Sequence, residues 1–227
     1  NILMFSPNQI YSYLMFVIIA IITILGVIYI NEANRKIPVN YAKRVRGMKV
    51  YGGVPTYLPL KINQAGVIPI IFAISILLLP SMLGQILLIF NNQTLVNIAN
   101  ALQQFLNNQL AYGISYFVLV FAFTYFYTAL TFEPNEIAKN LQKQGGFIAG
   151  IRPGDQTSHY LSNILNRITL FGALFLGIIA VLPLIVQALT GISAISLGGT
   201  SLLIVVSVGL ETIKAIKSQL LMREYEI

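Results

Sequence analysis

The sequence predicts an all-α membrane protein of five transmembrane helices. Of its 227 residues, 56% are hydrophobic and only 9% charged, and the mean hydropathy is +0.78. Several apolar runs have the length that crosses roughly 30 Å of bilayer hydrocarbon at about 1.5 Å per helical residue. The charges are also segregated, with none from Ile62 to Phe132 and none from Ile168 to Leu210. Cysteine is absent, which excludes disulfides and thiolate metal sites. The chain lacks an initiator Met, and no short apolar segment with a small-residue cleavage site precedes Tyr11, so it reads as a piece of a longer protein.

The spans fall at residues 11–30, 64–89, 112–132, 168–188 and 196–216. In the second, Pro69 and Pro80 should kink the helix or end its regular part. The fifth is short: its uncharged part, Leu197 to Leu210, rises only about 21 Å as a helix, which suits a protein-packed or cavity-lining position better than lipid. Between spans two and three, Leu95, Ile98, Leu102, Phe105, Leu106 and Leu110 recur at helical spacing, and Asn92 or Thr94 can cap the start. This predicts a short amphipathic helix on the outer surface, covering the bundle top rather than binding a ligand.

Basic residues set the orientation. Of 14 Lys and Arg, seven lie in the loop 31–61, four in the loop 133–167, and three at the C-terminal end. By the positive-inside rule these loops and the tail are cytoplasmic, and the N-terminus of the chain faces outward.

The first loop, with RKIPVNYAKRVRGMKVYGGVPTYLPLK, mixes β-branched, aromatic and basic residues, and Gly52, Gly53 and Pro55 supply turn chemistry. A protruding β-ribbon follows. Its seven basic residues against one acid, Glu32, either serve only to fix topology or form a docking surface for a phosphate-rich or acidic partner. In the second loop Pro134 opens a helix, EIAKNLQKQ continues it, Gly145 or Gly146 ends it, and another helix starting at Thr157 feeds span four. Between them FIAGIRPGDQ makes a tip with Pro153-Gly154 favouring a tight turn. Arg152 thus rides on a stiff projection beside Phe147, Ile148 and Ile151, mounted to pair bidentately with a phosphate or carboxylate.

Catalysis finds no residues to carry it. His159, the one histidine, reads as a solvated helix residue, and GGFIAG is not followed by the Gly-Lys-Ser/Thr of a phosphate loop. No carboxylate lies inside a span to relay protons. Neither an enzyme nor a cofactor nor a metal site is expected.

Four stretches, NEANRKIPVNYAKRVRG, YGGVPTYLPLKINQAGVIPIIFA, FTYFYTALTFEPNEIAKNLQKQGGFIAGIRPG and GGTSLLIVV, occur in an order that resembles the C-terminal half of the SecY family, the large subunit of the bacterial protein-conducting channel. The resemblance implies that the spans are helices six to ten of a ten-helix protein built as two pseudo-symmetric halves around a pore. It further implies partnership with an N-terminal SecY half that carries a plug segment, with SecE and SecG subunits, with the SecA motor or a ribosome, with signal sequences and translocating polypeptides, and with membrane lipid. The setting is the bacterial plasma membrane.

Residue roles carry over where the motifs match. QAGVIPIIFA resembles the lateral-gate helix, placing Pro69 and Ser75 in the gate and Ile71 in an apolar pore ring. Ile204 in GGTSLLIVV matches a second ring position. Lys43, Arg44 and Lys49 match the basic first loop, and Arg152 in GIRPG matches a tip residue that couples to the motor and to ribosomes. A ring of apolar side chains can close around a polypeptide while binding no one sequence tightly. On residues alone, half of an inverted-repeat secondary transporter is the alternative, although such sites use polar groups near the midplane, and these spans carry no charge.

Overall fold

The computed structural model describes residues 10–41, 44–46, 49–51, 56–90, 92–190, 205, 208–209, 212–213 and 215–220. In chain order its elements are α1 (Ile10–Glu32), β1 (Asn34–Tyr41), β2 (Arg44–Arg46), β3 (Lys49–Tyr51), β4 (Thr56–Lys61), α2 (Ile68–Ile89), α3 (Gln93–Asn107), α4 (Gln109–Thr131), α5 (Pro134–Lys143), β5 (Gly146–Phe147) and α6 (Asp155–Thr190). Strands are confined to the regions expected to be loops. Three described helical runs are long and apolar enough to cross a membrane: Ile68–Ile89, Gln109–Lys143, which takes in α4 and α5, and Asp155–Ala188. The fifth predicted span lies largely outside the described residues.

Three hydroxyls within the helices are satisfied locally. Thr23 Oγ1 donates to the Ile19 carbonyl at 2.7 Å, Ser75 Oγ to Ile71 at 2.8 Å, and Thr128 Oγ1 to Thr124 at 2.7 Å. Each bond closes on the carbonyl one turn back, so the hydroxyl needs no water.

Two compact units divide the chain. The first comprises residues 1–29, 66–123 and 175–227. Its core joins Val67, Ile70, Ala73 and Leu77 of the α2 region to Tyr116 and Val120 of α4 and to Leu176 and Ala180 of α6. Gly177 allows α6 to lie close to α4, since a Cβ there would stand 2.7 Å from the Phe117 ring. In this unit α3 packs back on α2, and Gly84 faces the Ala99 carbonyl. Asn92 caps α3 by accepting from the Thr94 N–H at 3.1 Å, as the sequence predicts.

The apolar stripe of α3 differs from the predicted one. Ala99 is fully buried, with Leu95, Leu102 and Leu106 half-buried beside it, whereas Ile98 and Phe105 are 51% and 49% exposed. A small residue permits close approach, so the seam centres on Ala99 and the two larger residues flank it. Leu110 is not on this helix. Asn108 interrupts the run, and its side chain accepts from the Leu110 N–H at 3.1 Å, opening α4 there.

The second unit comprises residues 30–65 and 124–174. β1 pairs antiparallel with β4, with Asn34 opposite Lys61 and Val39 opposite Thr56. On its other edge β1 pairs with β5, with Asn40 opposite Phe147 and Tyr41 opposite Gly146. The resulting sheet has the order β4-β1-β5, and β2 and β3 form a separate ribbon. Alternation explains the packing: Ile37 and Val39 of β1 are buried while Lys36 and Pro38 are exposed. The buried face meets Leu141 of α5, Ile148, and Leu161, Ile164 and Ile168 of α6. Burying a side chain of this size contributes about 1.5–3 kcal/mol relative to leaving it in water.

Candidate functional site

The predicted docking residues fall on the second unit. Pro134 occupies the first turn of α5, where its missing N–H costs no helical bond. Ile148 is buried and accepts from the Ile151 N–H at 3.0 Å, anchoring the start of the tip. Gly150 and Gly154 have φ of 82° and 105°, left-handed values that glycine adopts without strain. Between them Arg152 is exposed, and its carbonyl accepts from Thr157 Oγ1 at 2.9 Å. Ser158 Oγ donates to Asn135 Oδ1, tying the first turn of α6 to α5. The Arg152 side chain is thus exposed, and hydrogen bonds hold the backbone on both sides of it. His159 is an exposed residue of α6.

Arg44 lies on β2 opposite Tyr51, and Lys49 lies on β3 opposite Arg46. Lys43 lies outside the described residues, as do Gly52, Gly53 and Pro55. Sequence reasoning missed the β1–β5 pairing that joins the two basic loops in one sheet. The alternating Ile37, Val39 and Tyr41 signal a strand with one inward face, but the two residues of β5 carry no strand signal of their own.

Pro69, Ile71 and Ser75 sit on the first turns of α2. Pro69 is buried and Ile71 is 45% exposed. Ser75 is exposed on the same side as Ile71, whose carbonyl its hydroxyl engages. Of the two outcomes expected for it, Pro69 bounds the regular part of the helix rather than kinking it, and it loosens no helical bond because it stands at the start, where N–H groups have no intrahelical acceptor. Pro80 is the interior proline, and α2 continues through it to Ile89. Ile204 lies outside the described residues.

Three long apolar helical runs among the described residues, with a strand-containing unit whose sheet is built from the segments between them, define a multispanning helical membrane protein. The SecY family profile matches residues 2–213, and the chain belongs to that family. It is 45% identical over 215 residues to protein translocase subunit SecY of Thermotoga maritima, covering 95% of this chain and 48% of that protein. With the Thermus thermophilus subunit the identity is 47% over 216 residues, with 95% and 48% covered. The chain thus spans about half the length of the curated relatives it matches. Two solved structures share the fold. One, of a protein conducting channel, aligns with a TM-score of 0.56 at 19% identity, over 94% of this chain and 50% of that one. The other, a SecY structure concerned with how the plug domain stabilizes the closed state, aligns with a TM-score of 0.54 at 17% identity, over 94% and 50%.

Proposed function

We propose that this chain is the C-terminal half of a protein-conducting channel that moves unfolded polypeptides across the bacterial plasma membrane and releases hydrophobic segments into it. Five spans, at residues 11–30, 64–89, 112–132, 168–188 and 196–216, form one half of a pseudo-symmetric ten-helix channel. The loops 31–61 and 133–167 and the C-terminus lie in the cytoplasm, with the N-terminus of the chain outside. Pro69 and Ser75 belong to a lateral gate, and Ile71 and Ile204 to an apolar pore ring. Lys43, Arg44, Lys49 and Arg152 form a docking surface for the SecA motor or a ribosome. The N-terminal SecY half, SecE and SecG complete the assembly.

The observation that carries this reading is the sheet β4-β1-β5. It joins two loops that hold 11 of the 14 basic residues, and in the second of them the Thr157 hydroxyl holds the Arg152 carbonyl at 2.9 Å. A cationic surface of that kind attracts an acidic or phosphate-rich partner. Charges needed only for topology would require neither the pairing nor the fixed tip. In the complete channel, Arg152→Glu should impair motor-driven translocation in reconstituted vesicles while leaving channel abundance normal. Wild-type translocation at normal abundance would overturn the coupling role.

A further inference from the structure

The chain passes between its two units at four points, after residues 29, 65, 123 and 174. Within the second unit, close to three of these points, one short segment is held from three directions. Ile62 and Asn63 form the lead from β4 toward α2. The Ile62 N–H donates to the Ala33 carbonyl at 3.0 Å. Asn63 is buried, and its Nδ2 donates to Asn31 Oδ1, near the end of α1, at 2.8 Å. On the remaining side the Ile62 carbonyl lies over Gly172 of α6, where a Cβ would stand only 2.7 Å from that oxygen.

The first of these bonds continues the β1–β4 register by one step beyond Asn34 and Lys61, whereas the Asn63–Asn31 bond and the Ile62–Gly172 approach are not needed to form a strand or a helix. β4 ends at Lys61 and α2 starts at Ile68, so an intervening segment on a surface would ordinarily be free to move. Here an amide pair, with Asn63 buried and Asn31 half-buried, and an α6 backbone without a side chain grip it instead. Opening the pair gives up one hydrogen bond of the buried Asn63 amide, so the pair resists opening. The segment is also the covalent link between the strand pair that carries the basic first loop and the helix that carries Pro69, Ile71 and Ser75.

We propose that the Asn31–Asn63 pair, with neighbouring Ile62 seated against Gly172, forms a clamp that positions the start of α2 and transmits displacement of the docking sheet to it. The role is a positioning one for the polypeptide-conducting activity and rests on the function proposed above. With the clamp intact, a partner pushing on the sheet moves α1's end, β4 and the start of α2 together. With it broken, the sheet can move while α2 adopts its position independently. The channel should then lose dependence on a valid signal sequence without losing its partner.

The test uses the complete channel reconstituted in vesicles and compares transport of a secretory precursor with transport of the same precursor bearing a defective signal sequence. Asn31→Leu removes the acceptor and should lower the ratio of the two about fivefold, the effect expected for one net buried hydrogen bond. Asn31→Asp keeps an acceptor for the Asn63 amide and should retain the wild-type ratio. Adding Asn63→Asp to it opposes two carboxylates and should lower the ratio at least as far as Asn31→Leu. Partner binding and channel abundance are measured alongside, because a merely structural role would lower abundance and both transport rates together. If Asn31→Leu and the double variant keep the wild-type ratio, or change it only with abundance, the clamp is overturned while the channel reading stands. If the wild-type complete channel moves no precursor at all, the channel reading itself fails.

Discussion

Arg152 shows how a single side chain can be legible in sequence. Its neighbours in GIRPG are residues that turn a chain, and two of them adopt the positive φ that glycine permits. What the sequence does not display is the hydrogen bond from Thr157 or the tie between Ser158 and Asn135, because side chains that meet across a turn leave no periodic trace. Pro69 was legible as a proline but not as a position: its effect depends on where the helix begins, and α2 begins one residue before it. At the pore ring the argument is chemical. Replacing Ile204 with Asn places a hydrogen-bonding amide in a proposed apolar constriction, which should wet it and favour the open state. Resting ion conductance of reconstituted channels should rise severalfold over wild type, and an unchanged conductance at equal channel density would remove Ile204 from the ring.

Among the elements, helices were the more readable. Long apolar runs marked α2, α4 and α6 because lipid-compatible helices must satisfy their backbone internally and leave little ambiguity of type. Their ends were less readable, since capping by Asn108 and the continuation of α6 through Pro183 depend on local geometry. The ribbon in the first loop was foreseen from its β-branched and aromatic content, but the third strand of its sheet was not. That strand hangs on Gly146, which is buried where a Cβ would stand 3.1 Å from Tyr41, 3.3 Å from the Leu141 carbonyl and 3.3 Å from Val39. Gly146→Val should therefore wedge β5 from β1 and cost about 1–3 kcal/mol by overpacking. Thermal unfolding of the purified channel should begin at lower temperature, with motor-driven transport reduced as in Arg152→Glu. A wild-type melting profile together with wild-type transport would mean that the pairing does not hold the two loops together.

For the whole molecule, composition and charge placement were enough to establish a multispanning helical protein, and the order of four motifs was enough to suggest the family that the profile match then established. The division into two units was not visible, because it arises from packing of residues far apart in the chain, such as Ile37 and Leu161, which share one core. The central claim is that polypeptide moves past the first turns of α2. A single photoreactive residue at position 71, in a complete channel holding a precursor arrested in transit, tests it most directly. As controls, the same probe is placed at Val118 and Phe171, exposed residues of α4 and α6. The account predicts a strong crosslink from 71 to the arrested chain that disappears when the chain is released, and only weak products from the controls. No crosslink from 71, with the arrested chain captured elsewhere in the same channel, would contradict it.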